Sequence, residues 1–184
     1  MTIPDLLVLP AGHPPSPYPF PPPIGTRDGE TTLGELPKQI KLCAVGWLGH
    51  EVTASGEVAA ECVDLLVDAY DSKLVFSDGT MGWHDCEICT TEEQRRPGGK
   101  IGPVVRWRGR ELRLYGHGHH LVRLGDVVYM CPVLILHYVL DHGYQPPREF
   151  LKAVADGRFL TTNDLVPSSE TAHEWREKLE RAKR

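Results

Sequence analysis

Apolar residues along the middle of the chain either alternate with polar ones or recur at helical spacing, and this pattern predicts the first elements. Residues 39–48 form a largely apolar run that is typical of a strand. Residues 56–71 place apolar side chains every three or four positions with acidic ones opposite, which predicts an amphipathic helix. The predicted apolar face consists of Val58, Cys62, Leu65, Leu66, Ala69 and Tyr70.

Two hairpins are predicted in the second half of the chain. Residues 104–115 alternate about Arg108 and Gly109, a suitable turn because glycine accepts a positive φ. Residues 120–130 alternate about Gly125 and Asp126 in the same way.

Proline and glycine delimit the helices that follow. Pro132 fits the first turn of a helix over residues 133–141, which Gly143 ends. Two further helices are predicted over residues 148–155 and 170–184. This order of elements predicts an α+β fold, with a small antiparallel sheet of hairpins packed with about four helices and stapled by one metal ion.

The composition divides the chain into three parts. Nine of the sixteen prolines fall in the first 23 residues, and such a run favours extended polyproline II structure over helix or sheet. We therefore predict a proline-rich tail over residues 1–37, a domain over 38–160 and a charged C-terminal helix over 161–184.

Charge is distributed unevenly along the chain. The net charge of −5 argues against a protein built to coat nucleic acid. Residues 51–92 contain ten acidic residues and one lysine, whereas residues 95–123 contain eight basic residues and one glutamate. One stretch could face the other, or the basic stretch could meet an anionic partner.

The cysteines and the N-terminus indicate the compartment. Five cysteines, an odd number without an export signal, argue against a secreted disulfide framework. The apolar runs are far shorter than the ~20 residues of a membrane-spanning helix. We therefore predict a cytoplasmic protein that does not associate with a membrane.

Cys86 and Cys89 form a C-x-x-C pair, which supplies half of many zinc sites because two thiolates reach one ion from a tight turn. His137, His142 and His84 are the candidates for the remaining ligands. The alternatives are a redox-active cysteine pair and two free cysteines that neither bind metal nor take part in redox chemistry. Glutamate between the cysteines disfavours the redox interpretation, because its charge raises a neighbouring thiol pKa.

The spacing of two histidines poses a geometric difficulty. Residues five apart on a straight α-helix point about 140° apart. His137 and His142 are therefore expected to share an ion only if the helix frays or ends between them. If it does not, His137 with His84, Cys86 and Cys89 is the better quartet.

Two other segments suggest different chemistry. His117 and His119 form an H-x-H element, which metal-dependent hydrolases combine with a carboxylate, although an exposed loop is the simpler interpretation. Arg106, Trp107 and Arg108 combine positive charge with an aromatic ring, as nucleic-acid-binding surfaces do. Internal pairing of these arginines with acidic residues is the alternative.

The stretch over residues 129–150, with His84-x-Cys86-x-x-Cys89 upstream, resembles a widespread bacterial domain family of unknown function. The resemblance covers about residues 58–155 and implies that Cys86 and Cys89 pair with His137. It implies no activity. Residues 116–119 read G-H-G-H where similar sequences carry G-N-G-E, which weakens His117 and His119 as family ligands.

The sequence thus predicts a small cytoplasmic protein with a structural zinc site. We expect it to act as a binding or adaptor module for an unknown protein partner rather than as an enzyme. A metal-dependent hydrolase and a nucleic-acid-binding protein are the alternative functions.

Overall fold

The computed structural model describes residues 5–6, 25–27, 30–32, 41–75, 85–115, 118–161 and 164. The predicted C-terminal helix over residues 170–184 lies outside this part of the chain. Within it, the helices are α1 Ala60–Asp71, α2 Glu92–Arg95, α3 Ile135–His142 and α4 Arg148–Asp156. The strands are β1 Gly25–Arg27, β2 Glu30–Thr32, β3 Lys41–Ala44, β4 Val104–Trp107, β5 Arg110–Arg113, β6 His119–Leu124, β7 Val127–Pro132 and β8 Arg158–Phe159.

A four-stranded sheet in the order β3-β7-β6-β8 organises the fold. β6 pairs antiparallel with both β7 and β8, whereas β3 runs parallel to β7. The α+β prediction is confirmed, but the sheet is mixed rather than wholly antiparallel. The parallel pair is permitted because the long connection from β3 to β7 carries the chain back across the molecule, which no tight hairpin turn could do.

Both predicted hairpins form. Arg108 and Gly109 turn between β4 and β5 with φ of 44° and 78°, as a two-residue turn with positive φ at both central positions requires. Gly125, with φ of 62°, turns between β6 and β7. The prediction for Pro132 is wrong: this residue ends β7, and α3 begins at Ile135. Proline is accommodated there because it occupies the last pair of the ladder.

Helix α1 begins four residues later than its sequence pattern predicts. Gly56 N–H donates to Gly143 O over 3.1 Å, and Gln145 N–H donates to Ala54 O over 2.9 Å. These bonds hold the preceding segment extended against the connection between α3 and α4. The helix turns a slightly different face to the core than predicted: Leu65 is 38% exposed, and the buried residues are Cys62, Val63, Leu66, Val67 and Ala69.

The hydrophobic core lies between the sheet and the helices. Helix α4 packs against β6, β8 and α1, while α3 packs against α1 and β4. Phe150 of α4 is fully buried, and its ring lies 6.0 Å from that of Tyr129 on β7. None of the described helices is long and apolar enough to cross a membrane. All five cysteines are buried and free of disulfide bonds.

Candidate metal centre

The two cysteines of the C-x-x-C pair lie on a loop that is braced on both sides. Cys86 and Cys89 are 0% and 3% exposed. Arg96 donates to both oxygens of Asp85, over 3.2 and 2.5 Å, just before the first cysteine. Arg95 donates twice to Cys89 O, over 2.9 and 2.7 Å. The loop is therefore held at both ends by the short helix α2 and its terminus.

Helix α2 owes its position to a local sequence signal. The hydroxyl of Thr91 accepts a hydrogen bond from Gln94 N–H over 3.2 Å, and the Gln94 side chain accepts from Thr91 N–H over 3.2 Å. This reciprocal capping box satisfies amide groups that a helix start leaves unpaired. It directs Arg95, in the same turn, back toward the cysteine loop.

The two histidines come from a single helix. His137 lies inside α3 and is 3% exposed, and His142 is its last residue. Gly143 ends the helix with φ of 64°. The helix neither frays nor ends between the two histidines, yet their Nε2 atoms lie 3.0 Å apart, so they can approach each other without the condition that was expected. Because no further helical turn follows His142, its imidazole can fold across the open end of the helix toward His137, and the ring centroids lie 4.6 Å apart.

The four side chains converge on one point. Their nearest ligand atoms, two Sγ and two Nε2, all lie within 4.8 Å of one another. Cys89 Sγ is 3.2 Å from His137 Nε2, and Cys86 Sγ is 3.3 Å from His142 Nε2. In a tetrahedral zinc site, bonds of about 2.3 Å to sulfur and about 2.0 Å to nitrogen separate neighbouring ligand atoms by about 3.3–3.8 Å. The observed cluster is close to these dimensions.

Hydrogen bonds alone do not account for this arrangement. His142 Nε2 lies 3.0 Å from His137 Nε2 and 3.5 Å from Cys89 Sγ, besides its contact with Cys86. A ring nitrogen offers one proton or one lone pair, so it can satisfy only one of these three neighbours. A cation shared by all four atoms satisfies every contact at once.

An acidic side chain orients one of the histidines. His137 Nδ1 lies 2.7 Å from Asp141 Oδ2, one helical turn further along α3. The carboxylate fixes the Nδ1–H tautomer and turns Nε2 toward the cluster. Histidine ligands of metals are commonly held by a carboxylate in this way.

The protonation of the site also favours a cation. Burial raises the pKa of Cys89 to about 12, and the neighbouring Cys86 thiolate adds to the rise. Burial acts on Cys86 in the same direction, but hydrogen bonding and charge from His137 outweigh it and lower its pKa. Burial disfavours the charged form of His137, yet Asp141 and Cys86 raise its pKa to about 9. The pKa of Cys86 is lowered and that of His137 is raised, so each side chain favours the charged form of the other, and a metal ion bound by both would take the place of the imidazole proton.

The other predicted site residues do not join this cluster. His84 and His117 lie outside the described residues. His119 is 3% exposed and lies in β6, so its interpretation as part of an exposed loop is wrong. Its neighbour His120, which the second predicted hairpin included, is 0% exposed in the same strand. Within the described part of the chain, the Cys86 cluster is the one group of three or more potential ligands. His119 is therefore not part of such a group.

The predicted nucleic-acid-binding residues face the chain's own acidic groups. Arg106 pairs with Glu111 over 2.9 Å, and Arg108 pairs with Asp64 over 2.7 Å. Trp107 Nε1 donates to the same Asp64 over 2.7 Å. The hairpin thus neutralises helix α1, which is the alternative raised by the uneven charge of the sequence. Nucleic-acid binding stays a prediction that these contacts do not favour.

Two residues that support the site were missed by the sequence reasoning. Asp141 was detectable, because it lies four residues after His137 on a predicted helix and such pairs are neighbours. Arg95 carried no comparable signal, since its contact with Cys89 depends on how the loop folds back.

Comparisons with known proteins give a family but no described relative. No curated protein matches the chain, and no solved structure does either. A family model described as "Domain of unknown function (DUF7919)" matches residues 18–155. This match covers the cysteine loop and both histidines of the cluster, and most of the chain. The chain therefore belongs to the DUF7919 family, a domain family of unknown function.

Proposed function

We propose that Cys86, Cys89, His137 and His142 bind one zinc ion, and that this ion has a structural role in a small cytoplasmic binding module. The observation that supports the proposal is the convergence of two thiols and two imidazoles within 4.8 Å. Thiolate and imidazole donors in a tetrahedral set suit zinc better than magnesium or calcium, which prefer oxygen.

The donor set argues for a structural rather than a catalytic ion. Four protein ligands close a tetrahedral site, whereas catalytic zinc keeps a position for water. Zinc in this position would tie the 85–90 loop to α3, which is about 50 residues further along the chain. Structural zinc contributes on the order of 10 kcal/mol of apparent binding free energy to small folds.

The compartment is proposed from the state of the thiols. Free cysteines that act as metal ligands persist where thiols stay reduced, as in the cytoplasm. The bacterial origin implied by the sequence resemblance stays a prediction. The unknown protein partner is also a prediction, and it is the reason for describing the chain as a binding module rather than an enzyme.

The decisive experiment is elemental analysis of the purified full chain and two cysteine variants. We expect one zinc ion per wild-type chain, and loss of zinc together with a lower melting temperature in Cys86→Ser. Cys43→Ser is the matched control, because Cys43 is also buried, at 6% exposure, but lies on β3 outside the cluster. It should retain its zinc. Equal zinc content in wild type and Cys86→Ser would refute the proposal.

A second pair of variants identifies the fourth ligand. His142→Gln should lower zinc affinity, whereas His84→Gln should leave it unchanged if the four clustered residues are the ligands. Cobalt substitution provides the geometry, since tetrahedral Co²⁺ with two thiolates has strong visible absorption. The reverse result for the two histidines would assign the fourth position to His84.

The hydrolase alternative is tested with the same material. A catalytic ion with an open position should hydrolyse a generic ester or phosphodiester, and a chelator should abolish that activity. This alternative places the ion at His117 and His119. We expect no chelator-sensitive hydrolysis, because His119 is buried and belongs to no group of potential ligands among the described residues, and the site proposed at Cys86 is closed to water.

A further inference from the structure

The free edge of β3 carries a short segment from the N-terminal region. β3 lies at one end of the four-stranded sheet and pairs with β7 along one edge. On this strand Ala44 O accepts a hydrogen bond from Leu6 N–H over 2.9 Å. Strand edges offer backbone groups to which another segment can bind, and here a turn of the chain does so through this one bond.

A carboxylate receptor lies at the end of this edge. Asp5 Oδ1 accepts a hydrogen bond from Gly46 N–H over 2.8 Å, and Asp5 Oδ2 accepts one from Tyr144 O–H over 2.6 Å. Tyr144 is fully buried, so its hydroxyl needs a partner. Two donors from separate elements thus meet the two oxygens of one carboxylate. Hydrogen bonds to an ionised group are the strong ones.

The receptor is built into the core of the domain. Gly46 has φ of 71°, and a Cβ atom there would lie 3.2 Å from Ile135 Cδ1 and 3.5 Å from Tyr144 Cε1. A side chain at residue 46 would crowd Ile135 and would be strained at this positive φ, so glycine suits the position beside the tyrosine.

The segment that fills the receptor forms a turn with a strained backbone. Leu6 has φ of 60°, in the left-handed region that non-glycine residues seldom adopt. The family match begins at residue 18, so it includes Gly46 and Tyr144 but not Asp5 or Leu6. The receptor therefore lies within the region that defines the family, and the ligand lies outside it.

We propose that Ala44 O at the edge of β3, Gly46 and Tyr144 form a docking site for a short peptide turn in which an aspartate precedes an aliphatic residue. The chain's own Asp5 and Leu6 fill it as a tethered ligand, and an acidic segment of a partner protein displaces them. Tethering raises the local concentration of the resident segment, so the partner must bind more tightly or be abundant. This proposal names a partner for the binding role above and rests on that role, but it does not depend on the metal.

The test uses the full-length chain with the receptor vacated by Asp5→Ala. A fluorescent peptide with the sequence of residues 1–10 is titrated against it, and binding is followed by anisotropy. The matched control peptide carries Asn at position 5. We expect the control peptide to bind at least about tenfold more weakly, the loss that removal of a charged hydrogen-bond acceptor should cause. The wild-type chain should also bind the peptide more weakly than Asp5→Ala does, because its site is occupied.

A second variant assigns the binding to the receptor. Tyr144→Phe in the Asp5→Ala chain removes one donor and should weaken peptide binding by a similar factor. If this variant fails to fold, the comparison of the two peptides still decides the question, since it leaves the protein unchanged. Equal affinity for both peptides, or no binding to the vacated chain, would overturn the proposal.

Two further measurements distinguish this proposal from the zinc proposal and from self-association of the chain. Zinc content is determined on every sample, so that a failure of peptide binding in a zinc-loaded chain counts against the docking site alone. The mass of the wild-type chain in solution is measured by light scattering. A dimer that Asp5→Ala dissociates would overturn displacement by a partner protein and make a second copy of this chain the source of the peptide.

Discussion

His120 should make the stability of the fold depend on pH. Its imidazole is fully buried in β6, and its Nδ1 lies 2.8 Å from Leu74 O. Burial lowers the pKa of His120 to about 4, although the hydrogen bond to Leu74 acts in the opposite direction. Burial and the neighbouring His120 likewise lower the pKa of His119 to about 4. These two buried rings must stay neutral for the fold to persist.

The direction and size of the effect follow from these values. An unfolded histidine titrates near 6.5, so between pH 6.5 and about 4 the unfolded chain binds more protons than the folded one. The stability that His120 contributes is therefore complete above pH 6.5 and is lost as the pH falls toward 4. Each unit of pKa shift changes the free energy of unfolding by about 1.4 kcal/mol, so the full loss is about 3 kcal/mol. About 2.5 kcal/mol of this stability is lost by a pH of about 4.5.

The assay compares urea denaturation of zinc-loaded wild type and His120→Gln at several pH values. Glutamine can still donate to Leu74 O but does not titrate. The difference in unfolding free energy between the two chains should shrink by about 2.5 kcal/mol between a pH of about 7 and about 4.5. His50→Gln is the control for the substitution itself, because the His50 side chain is 87% exposed. A difference that stays constant with pH would refute the reasoning.

Two further predictions concern packing in the part of the chain around β4. Gly102→Ala should lower the free energy of unfolding by about 3 kcal/mol or more, since the added Cβ would lie 1.7 Å from Leu114 O. Gly98→Ala is also at positive φ but has no described atom within 4 Å, so it should lower the free energy of unfolding by only about 1 kcal/mol. Thermal denaturation of both variants measures the difference. Asp64→Ala should lower the free energy of unfolding by about 1 kcal/mol, because Trp107 Nε1 loses its hydrogen-bond acceptor. Asp64→Asn keeps an acceptor and should recover most of that loss. Equal melting temperatures for the two variants would contradict this prediction.

The elements that sequence reasoning predicted best are those specified by a few adjacent residues. The turn at Arg108 and Gly109 needs positive φ at two positions, and a glycine flanked by alternating residues indicates it directly. Gly143 ends α3 for the same local reason. Signals of this kind survive folding because the rest of the chain has little influence on them.

The errors arose where distant segments compete with local preference. In the described part of the apolar run over residues 39–48, which begins at residue 41, only the four-residue strand β3 forms. Nothing in the pattern shows that its partner lies parallel and more than 80 residues away. The start of α1 was misplaced because Gly56 bonds to Gly143, again a distant residue. His119 was misjudged because its glycine-rich setting suggests a loop, whereas pairing with β7 buries it.

The candidate metal centre shows both situations in one site. The C-x-x-C spacing is local, so Cys86 and Cys89 could be predicted to lie together from sequence alone. Whether His142 joins them depends on the last turn of α3, where an ideal helix would direct it away from His137. The distance of 3.0 Å between the two Nε2 atoms depends on how the helix ends at His142, and the contacts of His142 with both sulfurs depend on the loop that carries the cysteines. Gly143 ends the helix, and the arginines of α2 and its terminus hold the loop. The fourth ligand is therefore set by how the cysteine loop and α3 end, which the spacing of ligands alone does not specify.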